Sequence, residues 1–128
     1  MFLNLNIFNL ISGIVGVKMD IVEFQNKYNG ILAEHRYILK EVGDSYLVYI
    51  KTIKNINNVI NYDLDTHRVT DSNPDYVLTI FFNNDKIKDI RLVKYKYWLD
   101  DYTPRKSKQT VHFKSVDDLL KELYEYKI

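Results

Sequence analysis

The apolar positions of the chain change period along its length, and each change marks an element. Over 20–29, Ile21, Phe24 and Tyr28 recur at helical spacing on one face, and Asn29-Gly30 supplies a stop. The same spacing runs on through Ile31, Leu32, His35, Ile38 or Leu39, and Val42. A single longer helix across Gly30 is therefore the competing reading, at about 1 kcal/mol relative to alanine there. Segment 37–42 also reads as the first arm of a hairpin, turned by Gly43-Asp44-Ser45 into 46–53, where Tyr46, Val48 and Ile50 alternate with Leu47, Tyr49 and Lys51.

After a polar turn at 54–58, the pattern predicts a weaker strand over 59–69 and a turn at 71–75 that contains Pro74. Residues 76–82 (YVLTIFF) are apolar on both faces, as in a central strand covered on both sides. Asn83-Asn84-Asp85-Lys86 turns the chain into a strand over 87–99. There Ile90 and Leu92 share one parity, while Val93, Tyr95, Tyr97 and Leu99 share the other, so a β-bulge is expected near Leu92-Val93. Residues 100–109 read as a polar loop, and 110–114 as a strand with Val111 and Phe113 inward and His112 outward. Ser115 and Asp118 have capping-box spacing ahead of the stripe Val116, Leu119, Leu120 and Leu123, which predicts a C-terminal helix. The expected fold is α+β: a mainly antiparallel sheet of four to five strands with an N-terminal and a C-terminal helix packed on it.

Composition adds a boundary question. The 128 residues include 12 Asn, 14 Ile, 14 Lys and 11 Tyr but only 1 Ala, 4 Gly, 2 Pro and 4 Arg, the signature of an A/T-rich genome. Residues 1–18 hold eleven apolar residues and the single charge of Lys18. They lack the basic start and small-residue cleavage site of a signal peptide, and Asn4, Asn6 and Asn9 interrupt them as a membrane span. Gly16-Val17-Lys18-Met19 back-translates to a purine run just ahead of an AUG. We therefore expect 1–18 to be an apolar leader that is not translated, with 19–128 as the single domain. The alternative is an N-terminal strand with Leu3, Leu5 and Ile7 inward.

Charge points to a surface. The net charge of +1 is a cancellation: 1–18 carries +1, 19–85 carries −4, 86–114 carries +6 and 115–128 carries −2. A +6 stretch within 29 residues can steer an acidic partner even on a neutral protein. Within it, Lys94, Lys96 and Trp98 share a strand face, and Arg105, Lys106 and Lys108 follow in the loop. Aromatic and cationic side chains together suit a protein interface, and equally a nucleic-acid surface on which cations meet phosphates and rings stack on bases. The acidic remainder of so small a domain would repel a wrapping nucleic acid, which favours a protein partner with an acidic surface. A homodimer is compatible with these features, and a membrane partner is not expected.

Other chemistry is thinly represented. With no cysteine there is no disulfide, thiolate metal site or thiol nucleophile. Asp63, Asp65 and His67 would share one face of a strand over 59–69 and are the weak candidates for a metal site and for a metal-dependent enzyme. Asp71-x-Asn73-x-Asp75 begins like a calcium loop but meets Tyr76 where glycine belongs and Phe82 where glutamate belongs. Pro74-Asp75 followed by Asp85-Lys86-Ile87 departs from the acidic motif of restriction-type nucleases, which has lysine in the place of Ile87. No glycine-rich phosphate loop or nucleophile elbow can be assembled. His35 lies on an apolar face and His112 beside no acid in sequence. The expectation is a small cytoplasmic protein without catalytic residues or cofactor that acts by binding, in the manner of an accessory protein of a virus, phage or mobile element such as an anti-CRISPR or immunity-type inhibitor. A nucleic-acid-binding regulator is the second expectation.

Overall fold

The computed structural model describes residues 13–52, 62–63, 68–69 and 74–126. Helix α1 (Ile21–Glu34) begins where the Asp20 carboxylate accepts the Glu23 N–H at 2.8 Å, and it buries Phe24, Tyr28 and Leu32. Gly30 does not stop it. The helix closes in a Schellman turn in which Arg36 adopts φ 68°. The Arg36 N–H donates to the Ala33 carbonyl, and the Tyr37 N–H to the Leu32 carbonyl, each at 2.9 Å. The longer-helix reading is thus right across Gly30 and wrong beyond Glu34, where the hairpin reading takes over.

There follow β1 (Ile38–Val42), β2 (Tyr46–Lys51), the short β3 (Tyr62–Asp63) and β4 (Arg68–Val69), β5 (Tyr76–Asn83), β6 (Lys86–Asp100), β7 (Thr103–Phe113) and helix α2 (Val116–Tyr126). The main sheet is antiparallel in the order β1-β2-β5-β6-β7, while β3 and β4 pair with each other. Cross-strand register writes the core as rows. Leu39, Tyr49, Leu78, Leu92 and Val111 form one; Leu47, Ile80, Ile90 and Phe113 form the next. Phe24, Tyr28 and Leu32 of α1 and Val116, Leu119 and Leu123 of α2 join these rows in one buried cluster, so both helices cover the same sheet face. The fold is therefore the expected α+β arrangement, with Ser115 Oγ accepting the Asp118 N–H at the start of α2.

Four strand expectations need correction. Within 59–69, Tyr62–Asp63 and Arg68–Val69 are two short strands paired antiparallel in the register Tyr62↔Val69 and Asp63↔Arg68, and so not one continuous strand. There is no bulge at Leu92-Val93. The irregularity on β6 lies instead where Phe81 faces Asp89 and Phe82 faces Ile87, leaving Lys88 as the extra residue. Residues 103–109 are strand and not loop, since β7 starts at Thr103 and Pro104 pairs with Leu99. Finally, β5 is central as expected, but Val77 and Phe81 on its other face stay half-buried, as do Val48, Ile50 and Val93 beside them.

Residues 13–18 bind the start of α2 and the β5–β6 turn. The Gly13 carbonyl accepts the Val116 N–H at 2.9 Å, the Val15 N–H reaches the Lys114 carbonyl at 2.9 Å, and the Gly16 N–H reaches the Ile87 carbonyl at 2.7 Å. The N-terminal strand reading through Leu3, Leu5 and Ile7 lies outside the described residues.

Candidate functional site

The candidate surface is a two-stranded ribbon. β5 stops pairing with β6 at Tyr76↔Lys94, while β6 and β7 continue together through Lys96↔Ser107 to Asp100↔Thr103. The ribbon therefore projects past the helix-covered core. Its tip, Asp101-Tyr102, has φ 47° and 64°, the left-handed pair of a type I′ turn whose twist matches its strands.

Register divides the predicted cations between two faces. Lys94 and Lys96 continue the helix-side face of Ile90 and Leu92, and Arg105, in register with Trp98, shares that face. Lys106 and Lys108 pair with Tyr97 and Tyr95 on the opposite face. The expected single contact patch is thus a ribbon with cations on both sides. Lys96, Arg105, Lys106 and Lys108 are exposed and Lys94 is half-buried. Lys106 Nζ stands 5.3 Å from the centre of the Tyr95 ring, and Arg105 Nε lies 3.8 Å from an Asp100 oxygen across the exposed tip. A surface cleft of about 240 Å³ at the foot of the ribbon is lined by Tyr76, Lys94, Lys96 and Lys108, with Ser107 and Gln109 between them.

Below that foot lies a cluster that sequence reasoning missed. The core rows are followed by a polar one, Lys51, Tyr76, Lys94 and Gln109. Lys51 Nζ sits 5.5 Å and 5.8 Å from the ring centres of Tyr37 and Tyr76. Burial and the neighbouring Arg36 hold the Lys51 ammonium below the usual lysine range, against the opposite pull of Asp75. Burial also pushes the Tyr37 and Tyr76 phenols upward, and the buried Tyr37 hydroxyl has no hydrogen-bond partner among the described residues. The only sequence signal was Lys51 ending an otherwise apolar strand.

The opposite end of β5 is acidic. Asp20, Asp44 and Asp85 line a cleft of about 470 Å³ with Asn83 and Asn84. Of the metal candidates, Asp63 lies in register with Arg68 between β3 and β4, while Asp65 and His67 lie outside the described residues; no group of three His, Cys, Asp or Glu suited to a metal occurs among the described residues. His112 is exposed as expected but does have an acidic neighbour, Asp89, at 3.0 Å. His35 packs edge-on against Tyr124 with ring centres 4.5 Å apart. Among the described residues no helix is long and apolar enough to cross a membrane. No protein-family model matches this chain, and comparison with the curated proteins and the solved structures finds no match.

Proposed function

We propose that this chain is a small non-enzymatic binding protein whose β6–β7 ribbon docks against an acidic surface of a protein partner. The observation that supports it most is the distribution of Lys94, Lys96 and Arg105 on one ribbon face and Lys106 and Lys108 on the other, beyond the core. Exposed cations can meet an external acid, and rim charges of this kind accelerate encounter and select partners. The A/T-rich composition and small size favour a cytoplasmic accessory protein of a virus, phage or mobile element, acting as a stoichiometric inhibitor of anti-CRISPR or immunity type.

A nucleic-acid regulator is the second reading, because a two-stranded ribbon with cations on both faces has the dimensions to enter a major groove. Its acidic tip, Asp100-Asp101, would lead that entry and is repelled by phosphate. Fluorescence anisotropy with a labelled glutamate-rich peptide and a labelled duplex oligonucleotide at low salt separates the two. The expected result is peptide binding that falls at least tenfold in Lys106→Glu/Lys108→Glu, with the oligonucleotide unbound. Oligonucleotide binding that weakens steeply with salt, without peptide binding, would replace the first reading by the second.

A further inference from the structure

The sheet has one long edge, and its hydrogen-bonding direction can be assigned. The Tyr95 N–H donates to the Asp75 carbonyl at 2.8 Å, so odd-numbered residues of β6 direct their backbone groups at β5. In an antiparallel ladder the even-numbered residues then direct theirs at β7. Even β6 residues pair with odd β7 residues, so Arg105, Ser107, Gln109 and Val111 turn inward. Lys106, Lys108, Thr110 and His112 consequently turn their N–H and C=O outward. Two observations agree with this phase. Lys114, of the same parity, gives its carbonyl to Val15, and Pro104, also of that parity, puts its missing N–H on the side away from β6.

Among the described residues no strand pairs with the outward side of β7 from Thr103 to Phe113. Exposed edges are commonly protected by lysine and proline against pairing with a second copy. β7 carries both, along with Arg105, and no acidic residue between Thr103 and Phe113. Two such edges brought together would set like charges against one another. An acidic strand meets the reverse situation: what repels a second copy attracts it.

We propose that the partner contributes an extended acidic segment that pairs with β7 as a sixth strand, its backbone hydrogen-bonded to Lys106, Lys108, Thr110 and His112. Acidic side chains at alternate positions of that segment lie opposite Lys106 and Lys108. This assignment rests on the ribbon being the docking surface and adds how the partner is held. It resembles other recognition by strand addition, in which the backbone supplies affinity and alternate side chains supply specificity.

The test uses the full chain and a capped ten-residue peptide alternating threonine and glutamate. A second peptide is identical in charge but N-methylated at every glutamate, which removes the donors that would face β7. Amide hydrogen exchange and anisotropy are read together. Strand addition gives at least tenfold slower exchange at Lys106, Lys108, Thr110 and His112, and at least tenfold weaker binding of the methylated peptide. Thr110→Pro, which removes an outward donor and leaves the β6 ladder intact, weakens the unmethylated peptide similarly. Equal binding of both peptides without protection of these amides would overturn strand addition while leaving the ribbon as a charge-docking surface. Failure of both peptides to bind at low salt would overturn the docking surface as well.

Discussion

Removing residues 13–18 tests whether the fold begins before Met19. Three backbone hydrogen bonds cross from this segment to the rest of the protein, at Gly13, Val15 and Gly16. At about 1 kcal/mol each, their loss costs about 3 kcal/mol, and the packing of Val15 against the core adds about 1 kcal/mol. Gly13 makes the segment hard to replace. Its φ is +78°, and a Cβ there would stand 2.5 Å from the Tyr28 hydroxyl and 3.1 Å from a Val116 methyl. Chains starting at Met1, at Gly13 behind an initiator Met, and at Met19 should be compared by urea unfolding. With a slope of about 1.5 kcal/mol/M, the Met19 chain should unfold at a midpoint lower by about 2 to 3 M than the Gly13 chain. Gly13→Ala in the longest chain should lower the midpoint in the same direction. If the Gly13 and Met19 chains have equal midpoints, the contacts of 13–18 contribute nothing, and the expectation of an untranslated leader stands unopposed by stability. A large difference would instead make a native start at Met19 costly, and intact-mass measurement of the protein from its source would then show which start is used.

Burial raises the phenol pKa of Tyr37 and Tyr49 well above the ordinary value of 10. Above pH 10 the unfolded chain ionises these phenols while the folded chain keeps their protons, so stability is complete below pH 10 and falls as pH rises. Two such groups give about 3 kcal/mol per pH unit, and Tyr37→Phe should flatten the slope in alkaline urea titrations; an unchanged slope would refute the assignment. Because the buried Tyr37 hydroxyl has no partner among the described residues, Tyr37→Phe should also be neutral or stabilising by up to about 1 kcal/mol at pH 7, whereas a loss above that would show that the hydroxyl is bonded. The β5–β6 turn places Asn84 and Asp85 at φ 52° and 58°, the left-handed pair of a type I′ turn, so Asp85→Gly should raise stability by about 1 kcal/mol in thermal or urea melts, and a decrease would contradict that turn type.

Where a helix or strand touches the core, its pattern was legible in the sequence. The stripes of α1 and α2, the alternation of β2 and the double apolar run of β5 all follow from burial against one another. The failures occur where that pressure is missing. Thr103 and residues 105–109 are exposed on both faces of β7, so 103–109 carries no period-two signal and reads as loop. Along β6 the change of apolar parity after Leu92 mimics a bulge, yet the register runs on unbroken from Ile90↔Phe113 to Asp100↔Thr103. The strand simply runs on past its last pairing with β5, and Val93 and Tyr95 are half-buried on the other side. The end of α1 was misplaced for a local reason: Gly30 looks like a stop and is not one, while Arg36 takes the left-handed conformation that glycine usually supplies. Of the candidate site, residue types and strand parity were readable, but the division of cations between two faces depends on a pairing that only the fold reveals.

That division also changes the electrostatic case for a protein partner. From the sequence, acidic segments on the same small domain were expected to repel nucleic acid. The fold puts the acidic cleft of Asp20, Asp44 and Asp85 at the Asn83 end of β5 and the ribbon beyond the other end. From Lys86 to Lys96 along β6 is roughly 30 Å at about 3.3 Å per residue, several times the Debye length of about 8 Å at physiological salt. The distant acids are therefore screened from anything bound at the ribbon. What opposes a phosphate backbone locally is the tip, where Asp100 faces Arg105 and Asp101 leads the turn. An acidic strand laid along β7 from Lys106 to His112 runs away from that tip, whereas a groove-bound ribbon would drive it toward phosphates. The same geometry that weakens the original reason for preferring a protein partner supplies a more local one.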